Sequence, residues 1–474
     1  MYLSAVILYL AILVVAGIWT TRKAKTGDDF LVAGRTLPAR VLVFTLLATW
    51  IGSGSLFGGA GLGYRAGFPA LWQSAGAWVG IALVYFIAPR VRRIAQYTVP
   101  DILEMRYGPT ARILGTITIV IAYTTIAAYQ FRGGGRLLSL IADIDPATGA
   151  LITAAFCVAY TAIAGMLSVA YLDVGNGIMM TIGCAVAVTY VVFAGGGPAA
   201  TLDALRPDQV AVFGTLDPIR DALALFLPTM FLLMGEANMY QKFFSARDER
   251  AARVAVIGWI VGTILVEVLI VAIGVFGSVS VPGLSTGESE AIVVRVAVDV
   301  LPTILGILLL SGAAAIIVST ANSFLLTPAS NLMRDVYQRF INPQATDRQV
   351  LLYTRVLVLV LGAAGFIALK FFTTILQMAL WAYTMYGAVI TPVLLAAFVW
   401  PRATRQGGIA AMVIGMVTTL GWEIIAKMRS IDGNPVYPLG YQTIYPALIL
   451  SIGTLIVVSL ATPPPDEKDL AGLR

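Results

Sequence analysis

The sequence contains no histidine and only two cysteines, and charged residues make up just 12% of its 474 positions. Without histidine, a histidine proton relay and a metal centre with histidine ligands are both excluded. Cys157 and Cys184 each lie in an apolar run, so we interpret them as small buried hydrophobes rather than as a disulfide or a metal site. A soluble domain normally carries about twice this charged fraction, so the composition excludes an ordinary soluble protein.

Apolar residues are abundant instead: they make up 59% of the chain, and the mean hydropathy is +0.87. Since a membrane helix needs roughly 20 apolar residues, the sequence predicts an all-α membrane protein with about thirteen spans. The first run has no basic residue before it and no cleavage site after it, so we predict a retained span rather than a signal peptide. The predicted spans are 2–20, 39–63, 68–90, 112–141, 147–165, 167–195, 218–244, 252–278, 298–328, 350–371, 373–400, 408–427 and 441–462.

Basic residues alternate between the predicted loops. One set of loops holds most of them and the loops on the other side of the membrane hold few, so the positive-inside rule predicts an N-terminus outside and a C-terminus in the cytoplasm. The compact loops and the absence of a glycan-rich tail suggest an inner (plasma) membrane. The loops predicted to be cytoplasmic hold Arg22, Lys23, Lys25, Arg35 and Arg40; then Arg90, Arg92 and Arg93; then Lys242, Arg247, Arg250 and Arg253; then Arg334, Arg339, Arg348 and Arg355; and finally Arg402 and Arg405.

Glycines recur within the second predicted span, at positions 52, 54, 58, 59, 61 and 63. Each glycine inside a helix costs roughly 1 kcal/mol, so we predict that this helix is broken near its middle. Backbone carbonyls freed at membrane depth require a cavity or an ion beside them, and broken helices commonly form the ion and solute sites of transporters. The alternative is an unbroken helix whose small residues allow close packing.

Hydroxyl side chains are concentrated in the ninth predicted span. Ser323 follows Ser319 by four residues and Thr320 by three, so the three side chains share a helix face. Neutral oxygens on one face suit a weakly bound alkali ion. The alternative is that these hydroxyls only pack helices together.

Three motifs resemble those of the sodium:solute symporter family: "STANSF…SNLMRDVY" from Ser319, "AGMLSVAYLDV" from Ala164, and "NMYQKFFSARDERAAR" from Asn238. The resemblance implies a LeuT-like core of two inverted five-helix repeats. It divides the chain into an extra helix with its loop (1–38), a first repeat (39–195), an outer loop (196–217), a second repeat (218–400), two further helices (401–462) and a cytoplasmic tail (463–474).

The same resemblance implies where sodium would bind. One Na⁺ would be held by the backbone carbonyls of Ala48, Ile51 and Ile316 and by the hydroxyls of Ser319 and Thr320. A second Na⁺, found in some members, would use Asp173, Asn322 and Ser323, although asparagine replaces a hydroxyl there. Asp173 has the alternative role of a structural carboxylate paired with an arginine.

Binding of the solute is expected at the broken helix. Trp50 resembles a residue of the cation cage in choline-transporting relatives, and its alternative role is core packing. Arg132 resembles a carboxylate-binding arginine in sialic acid transporters. Alternatively, Arg132 reaches the surface or pairs with Asp173 or Glu267. Proline transporters carry an aspartate just after the alanine matching Ala48, which is absent here. The predicted solute residues are Trp50, Ser53, Ser55, Gln73, Gln130 and Arg132.

Together these patterns predict a sodium-coupled symporter that imports a small organic solute by alternating access. The expected partners are Na⁺, the lipid bilayer and a carboxylate, an amino acid or another zwitterion; nucleic acid is not expected, and a monomer would suffice. The alternatives are a proton-coupled transporter of the same fold that uses Asp173 or Glu267, or a membrane receptor that binds solute without transport. We do not expect an enzyme, because no span holds a metal cluster, a nucleophile with its base, or a nucleotide loop.

Overall fold

The computed structural model describes residues 1–21, 35–94, 98–163, 166–431 and 435–465. Most of the first predicted cytoplasmic loop, the start of the Ala164 motif and most of the tail therefore lie outside the described residues. Apart from an isolated bridge between Leu37 and Ala246, the described residues form helices and loops. This confirms the predicted all-α class.

The first half of the chain begins with an apolar helix and continues through two sharply bent helix pairs. The bends are 55° between Ala39–Trp50 and Gly54–Ala66 and 56° between Phe68–Val84 and Ala88–Ile94. The helices are α1 (Tyr2–Thr21), α2 (Ala39–Trp50), α3 (Gly54–Ala66), α4 (Phe68–Val84), α5 (Ala88–Ile94), α6 (Val99–Tyr107), α7 (Pro109–Ala142), α8 (Pro146–Ile163) and α9 (Met166–Ala194).

The second half also begins with a helix interrupted in mid-span. Its helices are α10 (Leu223–Gly235), α11 (Ala237–Ser245), α12 (Glu249–Ser280), α13 (Thr303–Asn331), α14 (Asp347–Ala368), α15 (Ile375–Val389), α16 (Thr391–Val399), α17 (Arg405–Met428) and α18 (Ile444–Ala461). A π-helical turn, Leu332–Ile341, extends α13. Short helices at Pro198–Asp203 and Thr286–Ser289 lie in the loops.

Each predicted span contains a helix, but not every one of these helices is long and apolar enough to be counted as a membrane span. Within the described residues, ten helices are long and apolar enough to cross a membrane, or twelve if each bent pair is one span. The N-terminal apolar helix, Tyr2–Gly17 on this measure, is shorter than the others. The total of thirteen therefore stays a prediction.

Two groups of helices form the centre of the molecule. The broken helices α2/α3 and α10/α11 pack with α4 and α12, and α7, α8, α13 and α14 pack with one another. The helices α9 and α15 contact members of both groups. Each group thus takes helices from both halves of the chain, and the hydroxyl-bearing face of α13 meets the break in α2/α3 where the groups adjoin.

Candidate functional site

The first helix break lies where the glycines predict it. Ile51 leaves the helix with extended backbone angles (φ −70°, ψ 116°). The backbone N–H of Ser53 donates to the side-chain oxygen of Gln130 at 2.8 Å, so α7 stabilises the chain as it leaves α2. A Cβ added at Gly52 would lie 2.8 Å from Gln130 Nε2 and 3.0 Å from Thr320 Cγ2. A larger residue at position 52 would therefore have to displace the Gln130 side chain, whose oxygen accepts from Ser53 N–H.

The hydroxyl of Thr320 faces this break. It lies 3.2 Å from the carbonyl oxygen of Ala48 and 3.0 Å from that of Ile51, so three of the predicted sodium ligands are assembled. Thr320 is buried, and Ile316 precedes it by one turn of α13. The oxygens come from α2 in one helix group and α13 in the other. A small cation held here would join the two groups.

Ser319, another predicted sodium ligand, contacts Asp173. Its hydroxyl hydrogen-bonds Asp173 Oδ1, and the hydroxyl of Thr45 donates to Oδ2 at 2.6 Å. Asp173 is fully buried in α9. The alternative in which Asp173 pairs with an arginine is therefore not what the structure shows: both of its oxygens accept from hydroxyl groups.

The residues predicted to complete a second sodium site, Asn322 and Ser323, make no hydrogen bond to Asp173 among the described contacts. The Ser323 hydroxyl lies 3.5 Å from that of Thr49, and Thr49 also accepts a hydrogen bond from the ammonium group of Lys242. Asn322 is fully buried, and its amide atoms have no hydrogen-bond partner among the described residues. Lys242, which the sequence places in a cytoplasmic loop, is instead buried in α11.

A second helix break, which the sequence analysis missed, lies at Glu236. Its backbone is extended (φ −63°, ψ 120°), and its carboxylate caps α11 by accepting from Met239 N at 3.0 Å. The same carboxylate accepts from the hydroxyl of Tyr123 on α7. Tyr386 donates to the carbonyl of Gly235 at 2.6 Å. The only local signal was a lone acid within an apolar run.

Aromatic residues line the other side of the first break. The ring centroids of Trp50 and Tyr383 are 5.8 Å apart, and the hydroxyls of Tyr383 and Tyr129 are 3.1 Å apart. Glu267 lies behind Trp50: its carboxylate accepts from the indole N–H of Trp50 at 2.8 Å and from that of Trp78 at 2.9 Å. The carboxylate therefore fixes the orientation of Trp50.

The other predicted solute residues divide into two sets. Ser53 and Ser55 lie at the break, and Gln73 faces the backbone of Gly59 in α3. Arg132 does not join them. Its Nη2 donates to the carbonyls of Leu369 (2.5 Å) and Phe372 (2.8 Å), so it binds the chain between α14 and α15 rather than Asp173 or Glu267.

A charged cluster lies at the opposite end of α7, on the side predicted to be cytoplasmic. Arg112 Nη2 lies 2.7 Å from Asp101 and 2.6 Å from Asp335, and Nη1 bonds Glu104. Burial acts to raise the pKa of Glu104, but hydrogen bonds from Arg112 and Arg339 hold this pKa below its ordinary value. The cluster ties α6, α7 and the extension of α13 together.

Two helices broken in mid-span, with oxygens clustered at the first break, are typical of a membrane transporter. A family model described as "Sodium:solute symporter family" matches residues 30–415, and the chain belongs to that family. The osmoregulated proline transporter OpuE of Bacillus subtilis is 27% identical over 97% of this chain and 94% of its own length. The sodium/pantothenate symporter of Escherichia coli is 28% identical over 95% of this chain and 94% of its own.

The fold agrees with solved structures. A structure of a Na⁺-coupled sialic acid symporter superimposes with a TM-score of 0.80 at 17% identity and covers 98% of both chains. This confirms the predicted LeuT-like fold. The family confirms a multi-pass sodium-coupled symporter and a transporter rather than an enzyme. Sodium and a small organic solute are thus its transported partners.

Proposed function

We propose that sodium binds between α2 and α13, at the carbonyls of Ala48, Ile51 and Ile316 and the hydroxyl of Thr320, with Ser319 beside it. The observation that supports this most is the position of the Thr320 hydroxyl, 3.2 and 3.0 Å from the carbonyls of Ala48 and Ile51. Neutral oxygens gathered at a helix break suit a small cation that must be released again.

Sodium at this position would couple to the solute by stabilising one arrangement of the two helix groups. Its ligands lie in both groups, so its affinity differs between arrangements, and this difference shifts the population toward the state that binds solute. The membrane potential contributes roughly 2.3 kcal/mol per 100 mV for each charge that enters. We further propose the inner membrane, with the N-terminus outside and the C-terminus in the cytoplasm.

The proposed solute is a zwitterion, an amino acid or a related small carboxylate. The aromatic pair of Trp50 and Tyr383 offers ring faces to a cationic group, and the Glu267 carboxylate behind Trp50 adds negative potential there. The N-terminal end of α3 offers a positive helix end and the hydroxyls of Ser53 and Ser55 to a carboxylate, while the backbone N–H groups of both serines are bonded within the protein. Arg132 is not required for this recognition, because it bonds backbone carbonyls.

The proposal is tested with the purified protein in liposomes, using solid-supported-membrane electrophysiology. The panel contains amino acids, short monocarboxylates, choline-like cations and sugars, each with and without sodium. We expect a sodium-dependent current with a zwitterion that is reduced at least tenfold at low sodium by Thr320→Ala. Thr419→Ala is the matched control, since Thr419 is also buried but bonds only the carbonyl of Gly415 in its own helix.

Three results would contradict all or part of the proposal. Solute-induced currents that do not depend on sodium but increase when the exterior is acidic would favour the proton-coupled alternative, with Asp173 or Glu267 as the proton carrier. Solute binding without any current or counterflow would favour the receptor. A current carried only by sugars would leave sodium coupling intact but refute the assignment of a zwitterion.

A further inference from the structure

Lys242 places a positive charge in the interior of the protein, beside the proposed sodium site. Its side chain is 1% exposed, and its ammonium donates to the carbonyl of Thr45 at 2.8 Å and to the hydroxyl of Thr49. These two acceptors lie on the same helix as the proposed sodium ligand Ala48. A buried charge in a membrane protein requires a partner of opposite charge or a function.

The partner of opposite charge is Asp173, which is fully buried. Thr45 connects the two groups directly: its carbonyl accepts from Lys242, and its hydroxyl donates to the Asp173 carboxylate at 2.6 Å. Both groups are therefore linked through one threonine. The negative charge that would hold a second sodium ion is therefore already balanced by the chain itself.

The hydroxyl oxygens around Asp173 already make hydrogen bonds within the protein. Ser319 and Thr45 donate to the carboxylate. The hydroxyl of Ser323 lies against that of Thr49, which accepts a hydrogen bond from the Lys242 ammonium. The hydroxyl groups could turn their lone pairs toward a sodium ion, but an ion bound there would lie beside a fixed positive charge. This charge opposes its binding.

We propose that the Lys242 ammonium is a tethered cation that replaces the second sodium ion at Asp173. The chain then binds a single sodium ion, at Thr320, and the lysine charge stays with the protein throughout the transport cycle. This inference rests on the proposed sodium site, because it concerns how many ions accompany the solute.

Equilibrium binding of ²²Na⁺ to the full-length protein in detergent tests the proposal. The wild type should bind one sodium ion per chain, with a Hill coefficient of about 1. Lys242→Met keeps the apolar stem and removes the charge, so Asp173 should recruit a second ion and the Hill coefficient should rise toward about 2. Adding Asp173→Asn to Lys242→Met should return the count to one.

Lys427→Met is the matched control, because Lys427 is a remote lysine that bonds the carbonyl of Phe371 and pairs with Glu423. It should leave the count unchanged. A folded, sodium-binding Lys242→Met protein that still binds one ion would overturn the proposal. If that variant does not fold, the wild type decides alone, since two ions bound to it would overturn the inference while leaving sodium symport intact. A wild type that binds no sodium would refute the proposed sodium site as well.

Discussion

The change Glu267→Gln tests whether the buried carboxylate shapes the solute site. The carboxylate accepts hydrogen bonds from two indole N–H groups, those of Trp50 at 2.8 Å and Trp78 at 2.9 Å. Glutamine keeps the size but offers only one accepting oxygen, and its NH₂ group would face one of the indole N–H groups. One indole is then left unpaired, and the negative potential behind Trp50 is lost.

The size of the effect follows from these contacts. A hydrogen bond to a charged group contributes about 1.5–3 kcal/mol, so loss of one such bond corresponds to roughly a 10- to 150-fold change in an equilibrium constant. We expect the apparent KM for a solute with an ammonium group to rise within this range. The sodium dependence at saturating solute should stay unchanged, because Glu267 does not contact the cluster around Thr320.

Concentration series of solute-induced current in proteoliposomes would measure both quantities. Glu423→Gln is the matched control, since Glu423 is also buried but accepts from Thr443 in the peripheral pair α17 and α18. An unchanged KM in Glu267→Gln would refute a role for the carboxylate at the solute site. A loss of solute affinity equal for ammonium-bearing and neutral solutes would show that Glu267 acts only by packing.

The charged cluster around Arg112 gives two further predictions, both measured as heat stability of the purified protein. Arg112→Ala should destabilise the fold by about 3–5 kcal/mol, because Asp101 and Asp335 lose a buried partner. Arg93→Ala, at an exposed ion pair, should have little effect on stability, and equal losses in the two variants would contradict this prediction. The pKa of Glu104 is lower in the folded protein than in the unfolded chain, where it is about 4.3. The ionised carboxylate therefore adds to the free energy of unfolding above this pH, and the stabilisation is lost as the pH falls through the folded-state pKa. Wild type should therefore lose more stability than Glu104→Gln on acidification from about pH 5 to pH 3, and parallel losses would refute the argument.

The sequence predicts the first helix break well because glycine has a direct backbone effect. Six glycines in one span weaken the helix, and the structure bends it by 55° beside Gly52. The positions of the helices also follow from the lengths of the apolar runs. The resemblance to the family supplied the pairing of Ala48 and Ile51 with Thr320, which composition and spacing could not provide.

Other features could not be predicted because they depend on the direction of a side chain. Arg132 and Gln130 are neighbours in sequence, yet only Gln130 reaches the break, while Arg132 bonds a distant loop. The break at Glu236 has no glycine cluster to indicate it. Lys242 resembled a loop cation by its position near other basic residues, and only the packing of α11 against α2 shows that it is buried.

The most direct test of the account is the sodium affinity of Thr320→Ala, measured by ²²Na⁺ binding beside Thr419→Ala and the wild type. The Thr320 hydroxyl faces the two carbonyls freed by the helix break, so its loss should weaken sodium binding at least about tenfold, or about 1.4 kcal/mol. The control should match the wild type. If Thr320→Ala binds sodium as tightly as the wild type, sodium does not bind between α2 and α13, and the proposed coupling of the two helix groups is wrong.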